Sequence, residues 1–204
     1  MRYQAIAACA SLAMIFGSVG LHAQVVALGA SNTAGKGVPQ QSAYPAQLEA
    51  MLRAQGQSVQ VINAGISGDT TDGMLARLNA AVPNGTRVVI LQPGGNDWRK
   101  GRTGADRQAN VDQIIANLRS RGVQVVMLDN QMLQAVPDQY RQPDGQHLTP
   151  QGYQLLASRI MPQVVAALGQ QQSVGTSAPP AVGTPPQPSY PTQPSYSYPW
   201  QGRR

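Results

Sequence analysis

Apolar residues in the middle of the chain fall into two kinds of segment, short continuous runs and longer stretches with helical spacing. The short runs are rich in β-branched residues and predict four strands, over residues 25–28, 59–62, 87–91 and 123–128. The longer stretches predict four helices, over residues 44–55, 71–81, 105–121 and 150–168. Strands that alternate with helices are typical of a parallel sheet with right-handed crossovers, so we expect a three-layer α/β/α domain with about four strands.

Several residues at the ends of these stretches are helix start or stop signals. Ser42 precedes the first stretch and is expected to cap it, while Gly56 and Gly122 follow the first and third stretches. Thr149 and Pro150 open the last stretch as a cap and a first-turn residue. We therefore expect the helix boundaries close to these positions.

The N-terminal 23 residues differ from the rest of the chain. A short basic start at Arg2 leads into an Ala-rich apolar stretch that ends near Ala23. This layout predicts a secretory signal peptide over residues 1–23 and a secreted, periplasmic protein. A retained membrane anchor and an acylation box ending at Cys9 are the alternatives. Elsewhere no apolar run reaches the roughly 18 residues of a membrane span, so we expect no integral span after cleavage.

The composition changes again at Gln170. Eight of the sixteen prolines lie between Pro179 and Pro199, and the tetrapeptide Gln-Pro-Ser-Tyr occurs twice. Such a segment cannot bury enough apolar surface to offset its ordering entropy, which predicts a disordered tail over residues 170–204 and a domain over residues 24–169. Its tyrosines and Trp200 suggest weak contact with the cell envelope, and an inert extension is the alternative.

Charge and cysteine content exclude several classes of function. The formal net charge is +6, but Arg2, Arg203 and Arg204 supply half of it and no long basic stripe remains, so we expect no nucleic-acid partner. The single cysteine, Cys9, leaves with the signal peptide. The mature chain would then have no disulfide, no thiol catalysis and no cysteine-based zinc site.

Polar and glycine residues follow the predicted strands, at the sheet edge where α/β proteins bind ligands. The segment after the first strand is not a phosphate loop, because Gly37 stands where that motif needs Ser or Thr. It is not a Gly-x-Ser-x-Gly elbow either, because Thr33 holds the last position. Ser31 remains in this segment as a candidate nucleophile, although an ordinary turn serine is the alternative.

The histidine count strengthens this hypothesis. His22 leaves with the signal peptide, so His147 is the only imidazole of the mature chain, three residues after Asp144. A serine nucleophile needs a base, and the base needs an acceptor that orients it. The segments 63–70 and 92–97 bring backbone N–H groups and a side-chain amide to the same edge, and an oxyanion hole is built from such donors.

Four blocks occur in an order that resembles the SGNH (GDSL-like) hydrolases, over residues 25–168, and most closely the bacterial branch of periplasmic thioesterases, lysophospholipases and arylesterases. The blocks are Gly29-x-Ser31, Ile66-Ser67-Gly68-Asp69-Thr70, Gly94-Gly95-Asn96-Asp97 and Asp144-x-x-His147. The resemblance implies a flavodoxin-like fold and a serine esterase of short-acyl, aryl or lysophospholipid esters. A carbohydrate O-acetylesterase and a non-catalytic envelope-binding protein are the alternatives.

The resemblance also implies a role for each matched residue. Ser31 would be the nucleophile, His147 the general base and Asp144 the acid that orients it. The Ser31 N–H, the Gly68 N–H and the Asn96 amide would form the oxyanion hole. An acyl-enzyme would form on Ser31 and then be hydrolysed, with no metal and no organic cofactor.

The chain departs from the family pattern at two places. Ala30 replaces the acid of the usual Gly-Asp-Ser block, and only fifteen residues separate Leu128 from Asp144, where relatives usually fit another helix–strand unit. We therefore expect four strands rather than five and a more open acyl groove. A basic cluster just after Asn96 is expected either to hold an anionic head group or to be a solvated loop. The cluster consists of Arg99, Lys100, Arg102 and Arg107.

Overall fold

The computed structural model describes residues 23–174, with side chains described for residues 25–170. Residues 1–22 of the predicted signal peptide (1–23) and residues 175–204 of the predicted tail (170–204) lie outside the described residues. Within the described range, no helix combines the length and the apolar character that a bilayer crossing requires.

Four parallel strands form one sheet in the described part of the chain, as the sequence predicts. They are β1 (Ala23–Gly29), β2 (Val59–Gly65), β3 (Thr86–Gln92) and β4 (Gln124–Met127). The order across the sheet is β2-β1-β3-β4. The register places Gly29 beside both Gly65 and Gln92, so that β1, β2 and β3 end at the same level. This common edge is where the candidate residues lie.

Eight helices accompany the sheet in the same range, and the sequence predicts the longer ones. They are α1 (Ser31–Ala34), α2 (Tyr44–Ala54), α3 (Thr71–Ala76), α4 (Leu78–Ala81), α5 (Asn96–Arg99), α6 (Gly104–Ser120), α7 (Asn130–Gln134) and α8 (Pro150–Val174). The same range contains two 3₁₀ turns, Gln40–Ser42 and Asp138–Tyr140. The short helices α1, α5 and α7 were not predicted, because four or five residues are too few for a periodic pattern.

Alternate residues of the strands point to two separate cores, which makes the fold a three-layer α/β/α sandwich. Val25 and Ala27 of β1 pack with α2 and α8 on one face, whereas Val26 and Leu28 pack with α3, α4 and α6 on the other. All four side chains are fully buried. A strand that is buried on both faces reads as a continuous apolar run, which is why the sequence identified these strands without alternation.

Three helix predictions need correction. Ser42 does not cap α2: it ends the 3₁₀ turn, and Ala43 holds the cap position without a side-chain bond. The helix predicted over residues 71–81 is interrupted at Arg77, whose guanidinium is used at the sheet edge described below. The last helix continues to Val174, past the predicted end at residue 168 and into the segment from Gln170, because glutamine is a good helix former.

Candidate active site

The loops after β1, β2 and β3 are joined by hydrogen bonds at the common edge of the sheet. The Ile66 N–H donates to the Gly29 carbonyl at 3.0 Å. The Arg77 side chain donates to the Ala64 carbonyl at 2.8 Å and to the Asp69 carboxylate at 2.9 Å. Because this arginine bonds both the end of β2 and the loop that follows it, the loop is held against the sheet.

Ser31 lies at the first position of α1, directly after β1. The Ala30 carbonyl accepts the Ala34 N–H at 2.9 Å, which forms the helical turn that contains Ser31. The Ser31 hydroxyl is 2.8 Å from the Nε2 atom of His147, a residue 116 positions further along the chain. Despite the departure at Ala30, the turn presents this hydroxyl to the imidazole.

His147 lies between Ser31 and Asp144. The Nδ1 atom is 2.5 Å from one oxygen of the Asp144 carboxylate, and the other oxygen accepts the backbone N–H groups of His147 and Gln146, each at 2.9 Å. These bonds, the side-chain bond to His147 above all, hold the pKa of Asp144 well below its ordinary value. An ionised carboxylate only accepts, so Nδ1 carries the proton and Nε2 is left to accept the hydroxyl proton of Ser31.

The imidazole of His147 is buried while the Asp144 side chain remains 42% exposed. The loop that carries both residues is fixed by Gln142, whose N–H donates to the His147 carbonyl at 2.8 Å. The Gln142 side chain also donates to the Leu148 carbonyl at 2.8 Å. Leu148 itself is fully buried in the core, which anchors the loop next to the histidine.

Asn32 connects the Ser31 turn to this histidine loop. Its amide nitrogen donates to the Gln146 carbonyl at 3.4 Å, and its carbonyl oxygen accepts the Tyr153 hydroxyl of α8 at 3.2 Å. Burial raises the pKa of Tyr153 to about 12, so this hydroxyl stays protonated and donates at neutral pH. The turn, the histidine loop and α8 are therefore joined beside the Ser31–His147 contact.

Gly68 lies in the loop after β2, and Asn96 is the first residue of α5, which follows β3. The Asn96 amide donates to the Asp69 carbonyl at 2.9 Å, and because a carboxamide nitrogen has two hydrogens, the second can serve a substrate. Gly68 is exposed and has a φ of 82°, which L-residues with side chains rarely adopt. The structure thus brings all five predicted site residues to one edge, with direct bonds among Ser31, His147 and Asp144.

Two buried polar residues near the site have no role in the sequence analysis. Asp97 accepts the Thr71 N–H at 3.1 Å and the Thr71 hydroxyl at 2.5 Å, which fixes the start of α3 against α5. Gln92, the last residue of β3, accepts hydrogen bonds from the Ser31 turn. A polar residue at the carboxyl end of a buried strand is the sequence signal that could have identified Gln92.

The basic cluster after Asn96 is largely engaged with the protein. Arg102 forms an ion pair with Asp72 at 2.7 Å, and Arg107 donates to the Pro93 carbonyl at 2.7 Å. Arg99 donates to the Gln146 side chain at 2.9 Å, next to His147. These contacts favour a structural role for three of the four residues over a binding site for an anionic head group.

Two large apolar side chains are exposed in the segments that carry the candidate oxyanion donors. Ile66 precedes Gly68 by two residues and is 50% exposed, and Trp98 follows Asn96 by two residues and is 49% exposed. They are the exposed large apolar side chains of the described residues.

The chain is similar to known proteins over the same region. Residues 27–143 match the model of the GDSL-like lipase/acylhydrolase family, a range that contains Ser31, Gly68 and Asn96 and ends just before Asp144. The esterase TesA of Pseudomonas aeruginosa is 31% identical over 133 residues, which are 65% of this chain and 66% of that protein. An arylesterase of Vibrio mimicus is 35% identical over 106 residues, 52% of this chain and 53% of that protein.

Among solved structures, AlinE4, described as an SGNH-hydrolase family esterase, is similar with a TM-score of 0.55 and 26% identity. That match covers 79% of this chain and all of the AlinE4 chain. With the curated relatives, in contrast, the match spans from about half to just under two thirds of their length.

Proposed function

The chain belongs to the GDSL-like lipase/acylhydrolase family, and on this premise we propose that it is a serine hydrolase of carboxylic esters. One observation carries the proposal, the continuous chain of contacts from the Ser31 hydroxyl through His147 to the Asp144 carboxylate. A nucleophile, a base and an orienting acid in hydrogen-bonding distance are what acyl transfer to water requires. These intact contacts also favour catalysis over a non-catalytic envelope-binding role.

Acylation begins with proton transfer from the Ser31 hydroxyl to Nε2 of His147 as the serine oxygen attacks the ester carbonyl carbon. The imidazolium that forms is stabilised by the ionised Asp144 carboxylate on its other nitrogen. Its proton then passes to the departing alkoxide, which leaves as the alcohol. The acyl group remains bound to Ser31 as an ester.

Deacylation repeats these steps with water as the nucleophile. His147 takes a proton from the water, the resulting hydroxide attacks the acyl-serine carbonyl, and the proton returns to the Ser31 oxygen as the carboxylic acid leaves. In both halves the negative charge on the carbonyl oxygen would be stabilised by the Ser31 N–H, the Gly68 N–H and the free N–H of Asn96.

We propose small esters with a short acyl or an aryl group as substrates. The exposed Ile66 and Trp98 beside the oxyanion donors offer apolar contact for such groups. Between β4 and Asp144 the described chain has only the short α7 and a 3₁₀ turn. This short segment supports an open groove, which would offer little contact to a long acyl chain. The names of the relatives, an esterase and an arylesterase, agree with this substrate class.

We also propose that the protein works outside the cytoplasm, in the periplasm. The basic start and the Ala-rich apolar stretch of residues 1–23 support export. Expression with and without these residues, followed by fractionation and N-terminal sequencing, tests this: a full-length product found uncleaved in the cytoplasm would contradict it.

A panel of p-nitrophenyl esters from acetyl to dodecanoyl tests the activity and the acyl preference together. We expect turnover of acetyl to butyryl esters to exceed that of decanoyl and longer ones, and Ser31→Ala to abolish turnover. Thr86→Val, a buried change at the opposite end of β3, is the matched control and keeps activity. Wild-type turnover in Ser31→Ala contradicts the nucleophile assignment, and a steady rise of kcat/KM beyond eight carbons contradicts the short-acyl preference.

A further inference from the structure

Gln92 lies under the Ser31 turn and is almost completely buried, with 2% of its surface exposed. The side-chain oxygen Oε1 of Gln92 is 3.1 Å from the backbone nitrogen of Ala30 and 3.1 Å from the hydroxyl oxygen of Thr33. A backbone N–H can only donate, so the oxygen of this carboxamide, and not its nitrogen, faces the turn. The two partners flank Ser31, one residue before it and two residues after it.

This contact replaces a capping interaction that the turn itself lacks. Ala30 is the N-cap of α1 and has no side chain that could accept from the first helical turn. In a capping box, the residue at the third helical position accepts the N–H of the cap residue. Thr33 holds that third position here, and its hydroxyl donates instead to Gln92, which also accepts the Ala30 N–H.

A buried chain of hydroxyl groups supports the same oxygen from below. Thr33 and Tyr44 are both fully buried, and their hydroxyl oxygens are 3.5 Å apart. The single hydrogen of the Thr33 hydroxyl goes to Gln92, so the Tyr44 hydroxyl, whose pKa is held well above its ordinary value by burial, is the group left to donate in this contact. A side chain at Gly29 would overlap both Thr33 and Gln92, so there is no space for this network to shift toward β1.

The network acts on the two groups of Ser31 that the proposed mechanism uses. The Ala30 carbonyl is directed into α1 by its bond from the Ala34 N–H. In a trans peptide the carbonyl and the following N–H point in opposite directions, so the Ser31 N–H is directed out of the helix end. Holding Ala30 therefore sets both the direction of this oxyanion donor and the start of the turn that carries the serine hydroxyl.

We propose that Gln92 is a positioning residue for Ser31. By binding the Ala30 N–H and the Thr33 hydroxyl, Gln92 holds the Ser31 hydroxyl and the Ser31 N–H in their places. The inference rests on the proposed function, since it assigns to Gln92 an effect on the acylation of Ser31. Gln92 itself does not contact the substrate. Its loss misplaces Ser31 without removing a group that binds the ester, and small misplacements of this kind have large effects on rate.

The test measures turnover of p-nitrophenyl acetate and the rate at which a fluorophosphonate labels Ser31, in wild type and in variants. Labelling forms a bond between the serine oxygen and phosphorus as fluoride leaves, so it reports acylation independently of deacylation. We expect Gln92→Met to lower kcat and the labelling rate about 10²-fold with KM changed less than threefold. Gln92→Glu keeps an acceptor oxygen and is expected to restore both rates to within about fivefold of wild type.

Thr86→Val is the control for a purely structural effect, because it removes a buried hydroxyl bonded to the Pro83 carbonyl at 2.7 Å at the other end of the same strand. We expect it to lower Tm but to leave kcat and labelling unchanged. If Gln92→Met does not fold, Thr33→Val, which deletes one of the two donors, replaces it and is expected to slow labelling about tenfold.

Two results overturn the inference. One is labelling of Gln92→Met, or of the substitute Thr33→Val, at the wild-type rate. The other is a Gln92→Glu variant as slow as Gln92→Met, because then the acceptor oxygen is not what matters. An absence of Ser31 labelling in the wild-type protein contradicts the proposed function itself.

Discussion

At the scale of single residues, the proton positions in the site follow from one depressed pKa. The Asp144 carboxylate accepts three hydrogen bonds from the His147 side chain and two backbone N–H groups, which keep it ionised far into the acid range. Histidine is the side chain that ordinarily changes its charge between about pH 5 and 8. Between these pH values Asp144 therefore stays charged and continues to accept from His147.

This assignment predicts the pH dependence of the activity. We expect log kcat/KM for p-nitrophenyl acetate to fall with a slope of one as the pH decreases. The fall is expected because protonated His147 cannot accept from Ser31, and the slope is one because Asp144 does not titrate in this range. Rates measured from about pH 4.5 to 9 test it. A limb of slope two would mean that a second group must also lose its proton.

Replacing Asp144 by Asn predicts effects on both activity and stability. Activity should fall by about 10² or more, since an amide cannot hold the imidazolium as a carboxylate does. Folding lowers the pKa of Asp144, so its stabilising effect is fully present above the unfolded-state pKa of about 3.9 and is lost as the pH falls below it. Urea melts should therefore show wild type and Asp144→Asn converging in unfolding free energy at low pH; a gap that widens there contradicts the prediction.

At the scale of elements, the site depends on loops that are tied to strand ends. The Asn96 amide at the start of α5 bonds the Asp69 carbonyl in the loop after β2. Asp97 and Thr71 join α5 to α3, and Arg77 joins the same loop to β2. The two proposed oxyanion donors, on the loop after β2 and on α5, are thus held by bonds between elements rather than by either element alone.

Asn96→Ala tests whether that amide acts on the developing charge. We expect kcat to fall about 10²–10³-fold, because an oxyanion donor stabilises the transition state more than the bound ester. Steady-state kinetics with p-nitrophenyl acetate separate kcat from KM. A change confined to KM would mean that Asn96 only helps to bind the substrate.

Arg77→Met is expected to destabilise the fold strongly. Its guanidinium lies 2.8 Å from the carboxylate of Asp69, whose side chain is only 10% exposed, so the substitution leaves a nearly buried charge without its cation. The cost should be about 3 kcal/mol of unfolding free energy. Arg53→Met is the matched control: that arginine is 65% exposed in its pair with Glu49, and its loss should cost less than about 1 kcal/mol. Equal costs in urea melts would contradict the argument.

At the scale of the whole molecule, one sheet separates two cores and carries the candidate site at a single edge. Helices α2 and α8 cover one face, and α8 also supplies Tyr153, which bonds Asn32 beside Ser31. The apolar contacts of α8 with the core run from Tyr153 to Leu168. The described side chains of α8 that stabilise the fold and support the site therefore precede Gly169.

Removal of residues 175–204 should leave folding and the proposed activity intact. Among the side chains described, up to residue 170, the core contacts of α8 end at Leu168, and the composition after Val174 is poor in aliphatic residues, so we expect no loss of packing. Tm and turnover of p-nitrophenyl acetate should match those of the full chain. A cut after Leu168 would instead shorten α8 itself. A drop in Tm on removal of residues 175–204 alone would show that this segment packs on the domain.

Local sequence patterns determined much of this protein. Four apolar runs predicted the four strands, helical spacing predicted α2, α6 and α8, and both depend only on which nearby residues share a face. Ser31 and His147 could be singled out because only one histidine lies outside the predicted signal peptide and because four motif blocks follow in order. The predicted cap at Ser42 and the predicted continuous helix over residues 71–81 were wrong. Capping and helix continuity at these positions depend on tertiary partners.

Only the tertiary structure decided how the site is held together. The bond from Ala30 to Gln92 joins residues 62 positions apart, and that from Asn32 to Gln146 joins residues 114 positions apart. The first bond arises from strand register, which sets Gly29 beside Gln92, and the second from the packing of the histidine loop against the Ser31 turn. The sequence around a single glutamine or arginine does not indicate such a contact, because the partner lies on a different element. Ser31 could be singled out from the sequence as a candidate nucleophile, whereas the buried contacts of Gln92 with Ala30 and Thr33, which flank it, became visible only in the folded chain.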